Sequence, residues 1–67
     1  MNNAYDTLEL IYNNGTVLTP VIIRGSFGID LIAKQIYYTT CYNSVCTHST
    51  ENIIDISVHK GVIEKWT

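Results

Sequence analysis

The segment Asn13-Asn14-Gly15-Thr16, set between two alternating apolar runs, constrains this chain more than any other feature. Upstream, Leu8, Leu10 and Tyr12 alternate with Thr7, Glu9 and Ile11; downstream comes Val17-Leu18-Thr19-Pro20-Val21-Ile22-Ile23. An Asn-Gly pair in this setting predicts a tight β-hairpin, because both residues tolerate the positive φ of a type I′ turn. A two-residue turn at Asn14-Gly15 places Tyr12 opposite Val17, Leu10 opposite Thr19 and Leu8 opposite Val21. All six are then expected on one core face. Pro20 has no backbone donor, so the second strand is expected to be an edge or bulged there.

The rest of the chain reads in the same idiom. Gly25-Ser26-Phe27-Gly28 is a bend, with Phe27 expected to fold back as a core plug. Ile29, Ile32, Ala33 and Ile36 fall at helical spacing, so a short helix near 29–37 competes with a strand. The following Tyr37-Tyr38-Thr39-Thr40 favours the strand. Cys41 to Cys46 predicts a second hairpin turning at Asn43-Ser44, and Ser49-Thr50-Glu51-Asn52 a polar bend. Ile53 to Val58 reads as a strand, and Lys60-Gly61 as a turn into a final strand, Val62 to Trp66. Ile54, Ile56, Val58 and Ile63 are expected to face inward. The expected fold class is all-β: one domain over 1–67, with about five strands in a strongly bent antiparallel sheet or small barrel.

A chain of 67 residues makes one domain and buries only roughly 60% of its unfolded surface, so its core is thin. Such a shortfall is often met by oligomerisation, and a homo-oligomer is expected. The net charge is −2, and Arg24, Lys34, Lys60 and Lys65 are scattered. That argues against nucleic acid as a partner, since phosphate binding needs a concentrated basic face. Met1-Asn2-Asn3-Ala4-Tyr5-Asp6 lacks the basic and apolar regions of a signal peptide, and Val21-Ile22-Ile23 is far too short to span a bilayer. A cytoplasmic protein with no membrane contact is therefore expected. The small size and the richness in Ile, Asn, Tyr and Thr suit a phage or mobile-element accessory protein.

Two stretches carry a family resemblance. Leu10-Ile11-Tyr12-Asn13-Asn14-Gly15-Thr16-Val17-Leu18-Thr19-Pro20-Val21-Ile22 is similar to the opening hairpin of Sm-like and related SH3-type barrels. Ser49-Thr50-Glu51-Asn52-Ile53-Ile54-Asp55-Ile56 resembles the short turn into their late strand. Together they cover less than half the chain. The resemblance implies an SH3/Sm-like curled sheet and ring or dimer formation. It does not bring RNA binding with it, because the basic, glycine-containing contact turn of Sm proteins has no counterpart; Arg24-Gly25 lies in the wrong half.

Cys41, Cys46 and His48 form C-x4-C-x-H, three of the four ligands a structural zinc site takes. His59 or Asp55 could complete the set. A two-residue hairpin would instead make Cys41 and Cys46 a cross-strand pair close to disulfide geometry, while a reducing compartment keeps both thiols free. A Cys nucleophile with a His base lacks a third orienting group, and Asp30, Glu51, Asp55 and Glu64 are isolated carboxylates. No catalytic residue and no cofactor is assigned. Tyr37, Tyr38 and Tyr42 surround the second hairpin, where alternation must turn at least one to solvent beside Thr39, Thr40 and Asn43. Rigid tyrosine among small polar neighbours suits recognition. The expected function is a non-enzymatic binding or assembly module acting through protein contacts at Tyr37, Tyr42 and Trp66. The alternatives are an Sm- or OB-type RNA- or nucleotide-binding barrel and a small zinc-binding protein.

Overall fold

β1 (Tyr5–Tyr12) turns through Asn13-Asn14-Gly15 into β2 (Val17–Leu18) and β3 (Val21–Ile23) in the computed structural model, which describes residues 4–62. The turn holds three residues, not two. Gly15 N–H donates to the Tyr12 carbonyl at 3.0 Å, Tyr12 N–H to the Thr16 carbonyl at 2.9 Å, and Gly15 sits at φ 91°. This is the three-residue hairpin with glycine in the left-handed position. The extra residue shifts the pairing by one, to Leu10 opposite Leu18, Asp6 opposite Ile22 and Thr7 opposite Val21.

A one-residue slip turns every side chain of a strand to the other face. Leu18 and Ile22 therefore point inward where Val17 and Val21 were expected: Ile22 is 1% exposed and Val17 47%. Leu8 and Leu10 are inward as expected, with Tyr12 packed against the core beside them. Pro20 interrupts the second strand, so that β2 and β3 flank it, although its carbonyl still accepts from Leu8 N–H at 2.9 Å.

The central segment holds two strands and no helix. β4 (Gly28–Asp30) and β5 (Gln35–Thr39) pair antiparallel, joined by the four residues Leu31–Lys34. The Asp30 carboxylate accepts from Ile32 and Ala33 N–H at 3.1 Å each, and Lys34 closes the loop at φ 56°. The helical spacing of Ile29, Ile32, Ala33 and Ile36 arose from this one turn, which leaves Leu31 and Ile32 exposed. Phe27 does pack against the core.

β5 continues into β6 (Val45–Ser49) through Cys41-Tyr42-Asn43. Asn43 N–H donates to the Thr40 carbonyl at 2.9 Å and Thr40 N–H to the Ser44 carbonyl at 2.8 Å, with Asn43 at φ 66°. The two hairpins thus share one turn design, with Asn43 where the first has Gly15. The expected turn at Asn43-Ser44 is corrected accordingly. Tyr38, not Cys41, stands opposite Cys46.

β7 (Ile53–Lys60) returns to pair antiparallel with β1. Its register shifts at Ile11/Tyr12, so Asp55 faces Ile11 and Ile53 faces Tyr12. Ile54 is the unmatched residue of a bulge and is exposed, while Ile53 and Ile56 pack on the core. The expected inward set of Ile54, Ile56 and Val58 is thus reduced to Ile56 with a half-exposed Val58. Ile63 and the remainder of the expected last strand, Trp66 included, lie outside the described residues.

The chain is all-β, and among the described residues its two antiparallel sheets do not close into a barrel. Sheet A holds β2 and β3 on one side of β1 and β7 on the other; sheet B has the order β4-β5-β6. An Ile22–Thr40 bridge and a Cys41 N–H to Val21 carbonyl bond of 3.0 Å tie them, and Leu8, Leu10, Ile22, Ile36 and Tyr38 form the core. Asp6 fastens the end of sheet A. Its Oδ1 accepts from Arg24 Nη2 at 2.7 Å, Arg24 Nε at 3.0 Å and Gly61 N–H at 3.1 Å, joining three chain segments.

Candidate protein-contact site

Alternation along β5 sends Ile36 and Tyr38 into the core and Gln35, Tyr37 and Thr39 outward. The antiparallel register sets Thr47 opposite Tyr37, Val45 opposite Thr39 and Ser49 opposite Gln35. Gly28 lies on the other side of Tyr37, and the phenol ring covers it: a Cβ there would fall on the ring's hydroxyl end. Glycine is what lets the ring lie against the edge strand.

Tyr37 is 44% exposed, Val45 73% and Tyr42, in the adjoining loop, 86%. Thr39 and Thr47 fill the surface between them with small hydroxyl-bearing groups. The antiparallel ladder also leaves the backbone groups of Val45, Thr47 and Ser49 facing away from β5, on an edge that no described strand covers. The outer side of sheet B thus combines aromatic, aliphatic and hydroxyl groups with free main-chain donors and acceptors. Such a surface offers contact area at little entropic cost.

The inner side of sheet B holds a different set. Tyr38 lies opposite Cys46 and diagonal to His48, two residues along β6, and its hydroxyl is 2.8 Å from His48 Nε2 with the two rings stacked at 5.6 Å. Burial, with Cys46 beside it, pushes the Tyr38 phenol up to about 12. The hydroxyl keeps its proton at neutral pH and can donate it to Nε2, which places the proton of a neutral His48 on Nδ1. This pair satisfies two polar groups inside a thin core.

Sequence reasoning grouped Cys41 with Cys46 and His48, and the fold does not bring the three together. Cys46 and His48 share the inner face of β6, whereas Cys41 lies in the loop with its N–H held by Val21. Both cysteines are free, and among the described residues no three His, Cys, Asp or Glu side chains are grouped to hold a metal ion. Tyr37 and Tyr42 are both exposed on the sheet B side; Trp66 lies outside the described residues. Tyr38 was missed as a partner of His48. Counting a three-residue loop would have found it, because that count sets Tyr38 against Cys46 and on the same face as His48.

On the outer side of sheet A, His59 Nε2 lies 2.8 Å from Glu9 Oε1, a cross-strand pair between β7 and β1. Among the described residues no helix is long and apolar enough to cross a membrane. Comparison with protein-family models, curated proteins and solved structures gave no match.

Proposed function

We propose that the protein is a non-enzymatic binding module that engages a protein partner through the outer side of sheet B. The observation that carries this is the exposed group of Tyr37, Tyr42 and Val45 with Thr39 and Thr47 between them. Tyr37 and Tyr42 supply rigid amphipathic area, Val45 an apolar contact, and the β6 edge main-chain hydrogen bonds. A cytoplasmic phage or mobile-element accessory protein acting on a host factor is the setting we propose for it. The three described cations, Arg24, Lys34 and Lys60, sit on three different segments, which favours protein over nucleic acid as the partner.

The test compares partner capture by the wild-type chain with that of Tyr42→Ala/Val45→Lys. These substitutions leave the core untouched, so circular dichroism should not change. A specific protein retained by wild type and lost by the double variant is the expected result. Equal retention by both, or salt-dependent retention of RNA in place of a protein, overturns the reading.

A further inference from the structure

β7 is an eight-residue strand with one edge on β1 and no described strand on the other. The even residues of β1 bond towards β2 and β3, as Leu8 N–H to Pro20 shows, so the odd ones bond towards β7. Asp55, Ser57 and His59 therefore turn their backbone groups to β1, and Ile56, Val58 and Lys60 turn theirs to the open edge. An edge this long is a template for another strand unless something guards it. The bulge at Ile54 and Lys60 guard its two ends, and between them the Asp55 carboxylate accepts from Ile56 N–H at 3.0 Å.

The strand is complementary to itself. Asp55 stands near one end and His59-Lys60 at the other, so two antiparallel copies set acid against base twice. Parallel copies would set like against like. The edge donors allow antiparallel registers centred on Ile56, Ser57 or Val58. Only the Ser57 register places Asp55 of each copy opposite His59 of the other. It also makes Ile56 and Val58 reciprocal hydrogen-bonded pairs on the inner face, where Val58 is 48% exposed at the margin of the core. Gly61 carries the same alternation one step further: its N–H bonds Asp6 and its carbonyl accepts from Thr7 Oγ1 at 3.0 Å, both on β1.

We infer that two copies of this chain pair antiparallel along β7, Ser57 against Ser57, into one continuous sheet. On pairing, Asp55 releases the Ile56 N–H to the second copy and turns to Nδ1 of that copy's His59, whose Nε2 stays on Glu9. This surface is separate from the outer side of sheet B, so the inference does not rest on the proposed partner contact.

Site-directed cross-linking tests the register. In a Cys41→Ser/Cys46→Ala background, Ser57→Cys places two thiols in a non-hydrogen-bonded pair about 4.5 Å apart at Cα. Asp55→Cys places them about 13 Å apart, four strand residues away, beyond disulfide reach. Mild oxidation should give a covalent dimer with Ser57→Cys and none with Asp55→Cys. By sedimentation, Val58→Pro should yield monomer with an unchanged far-UV spectrum, since proline there removes only an edge donor. Asp55→Lys should weaken association by about tenfold, through two reversed cross-strand pairs.

A wild-type chain that stays monomeric up to about 100 μM, well above the range of specific dimers, overturns the inference. So does a dimer that survives Val58→Pro, or one that cross-links equally at Asp55→Cys. A dimer abolished by Tyr42→Ala/Val45→Lys but not by Val58→Pro would place self-association on sheet B. That result overturns the β7 pairing and leaves the sheet B contact standing.

Discussion

Replacing Ile22 by valine and, separately, Val17 by alanine measures which face of the second strand is inside. Ile22 is 1% exposed and packs with Leu8, Leu10, Ile36 and Tyr38; Val17 is 47% exposed. Removing one methylene from a sealed site costs about 0.5–1.5 kcal/mol, the transfer loss plus the small cavity it leaves. A domain of this length has total stability of roughly 3–10 kcal/mol, so the loss is a visible fraction of the whole. At about 4–8 °C per kcal/mol for a chain of this size, Ile22→Val lowers Tm by roughly 2–12 °C. Val17→Ala removes more atoms, yet they already stand largely in water, and its cost stays within about 0.5 kcal/mol. Thermal unfolding followed by circular dichroism, checked by urea titration for an unchanged m value, reads both. A larger loss from Val17→Ala than from Ile22→Val would refute the three-residue turn and restore the two-residue register.

Three further outcomes follow from the same geometry. Asn43 holds φ 66° in the second hairpin, so Asn43→Gly should be neutral or slightly stabilising, while Asn43→Val should cost about 1–2 kcal/mol in urea unfolding. The Arg24 guanidinium and the Gly61 N–H hold the Asp6 carboxyl below its usual 3.8, so its contribution to stability is present above that value and is lost as pH falls through the lower folded one. Asp6→Asn should remove that part of the acid transition and leave unfolding flatter between pH 5 and 2, on the order of the window where paired carboxylates titrate. The phenol of Tyr38, raised to about 12 from 10.0, favours the folded state fully below 10.0, and that contribution fades as pH rises towards 12. Absorbance titration should show one of the five tyrosines ionising late, and Tyr38→Phe should abolish that late step.

Much of the fold was legible because alternation and turn residues are local signals. Asn14-Gly15 marked the first hairpin, and Leu8, Leu10 and Tyr12 marked its core face. The pairing partners were harder to read, because Asn13-Asn14-Gly15 serves either a two- or a three-residue turn and the apolar run Val17 to Ile23 satisfies both registers. The same ambiguity at Cys41-Tyr42-Asn43 misplaced Cys41 opposite Cys46 and concealed the Tyr38–His48 pair. The stripe from Ile29 to Ile36 looked helical since a four-residue hairpin loop has nearly helical spacing of its own. Ile54 could not be read as outward without the bulge opposite Ile11 and Tyr12, which only the paired strand defines. The proposed contact surface was half visible: Tyr37 and Tyr42 stood out by type, but Val45, Thr47 and Gly28 join them only through the sheet B register.

The most direct test of the sheet B surface is photo-cross-linking inside the cells that make the protein. A benzoylphenylalanine is placed at Tyr42 in one variant and at Leu31, in the loop at the opposite end of the same sheet, in another. Both side chains are exposed, so incorporation should spare the fold. The account predicts a discrete protein adduct from position 42, reduced by Val45→Lys, and little from position 31. Equal adducts at both positions, or a strong one at 31 alone, would contradict a partner contact on the outer side of sheet B.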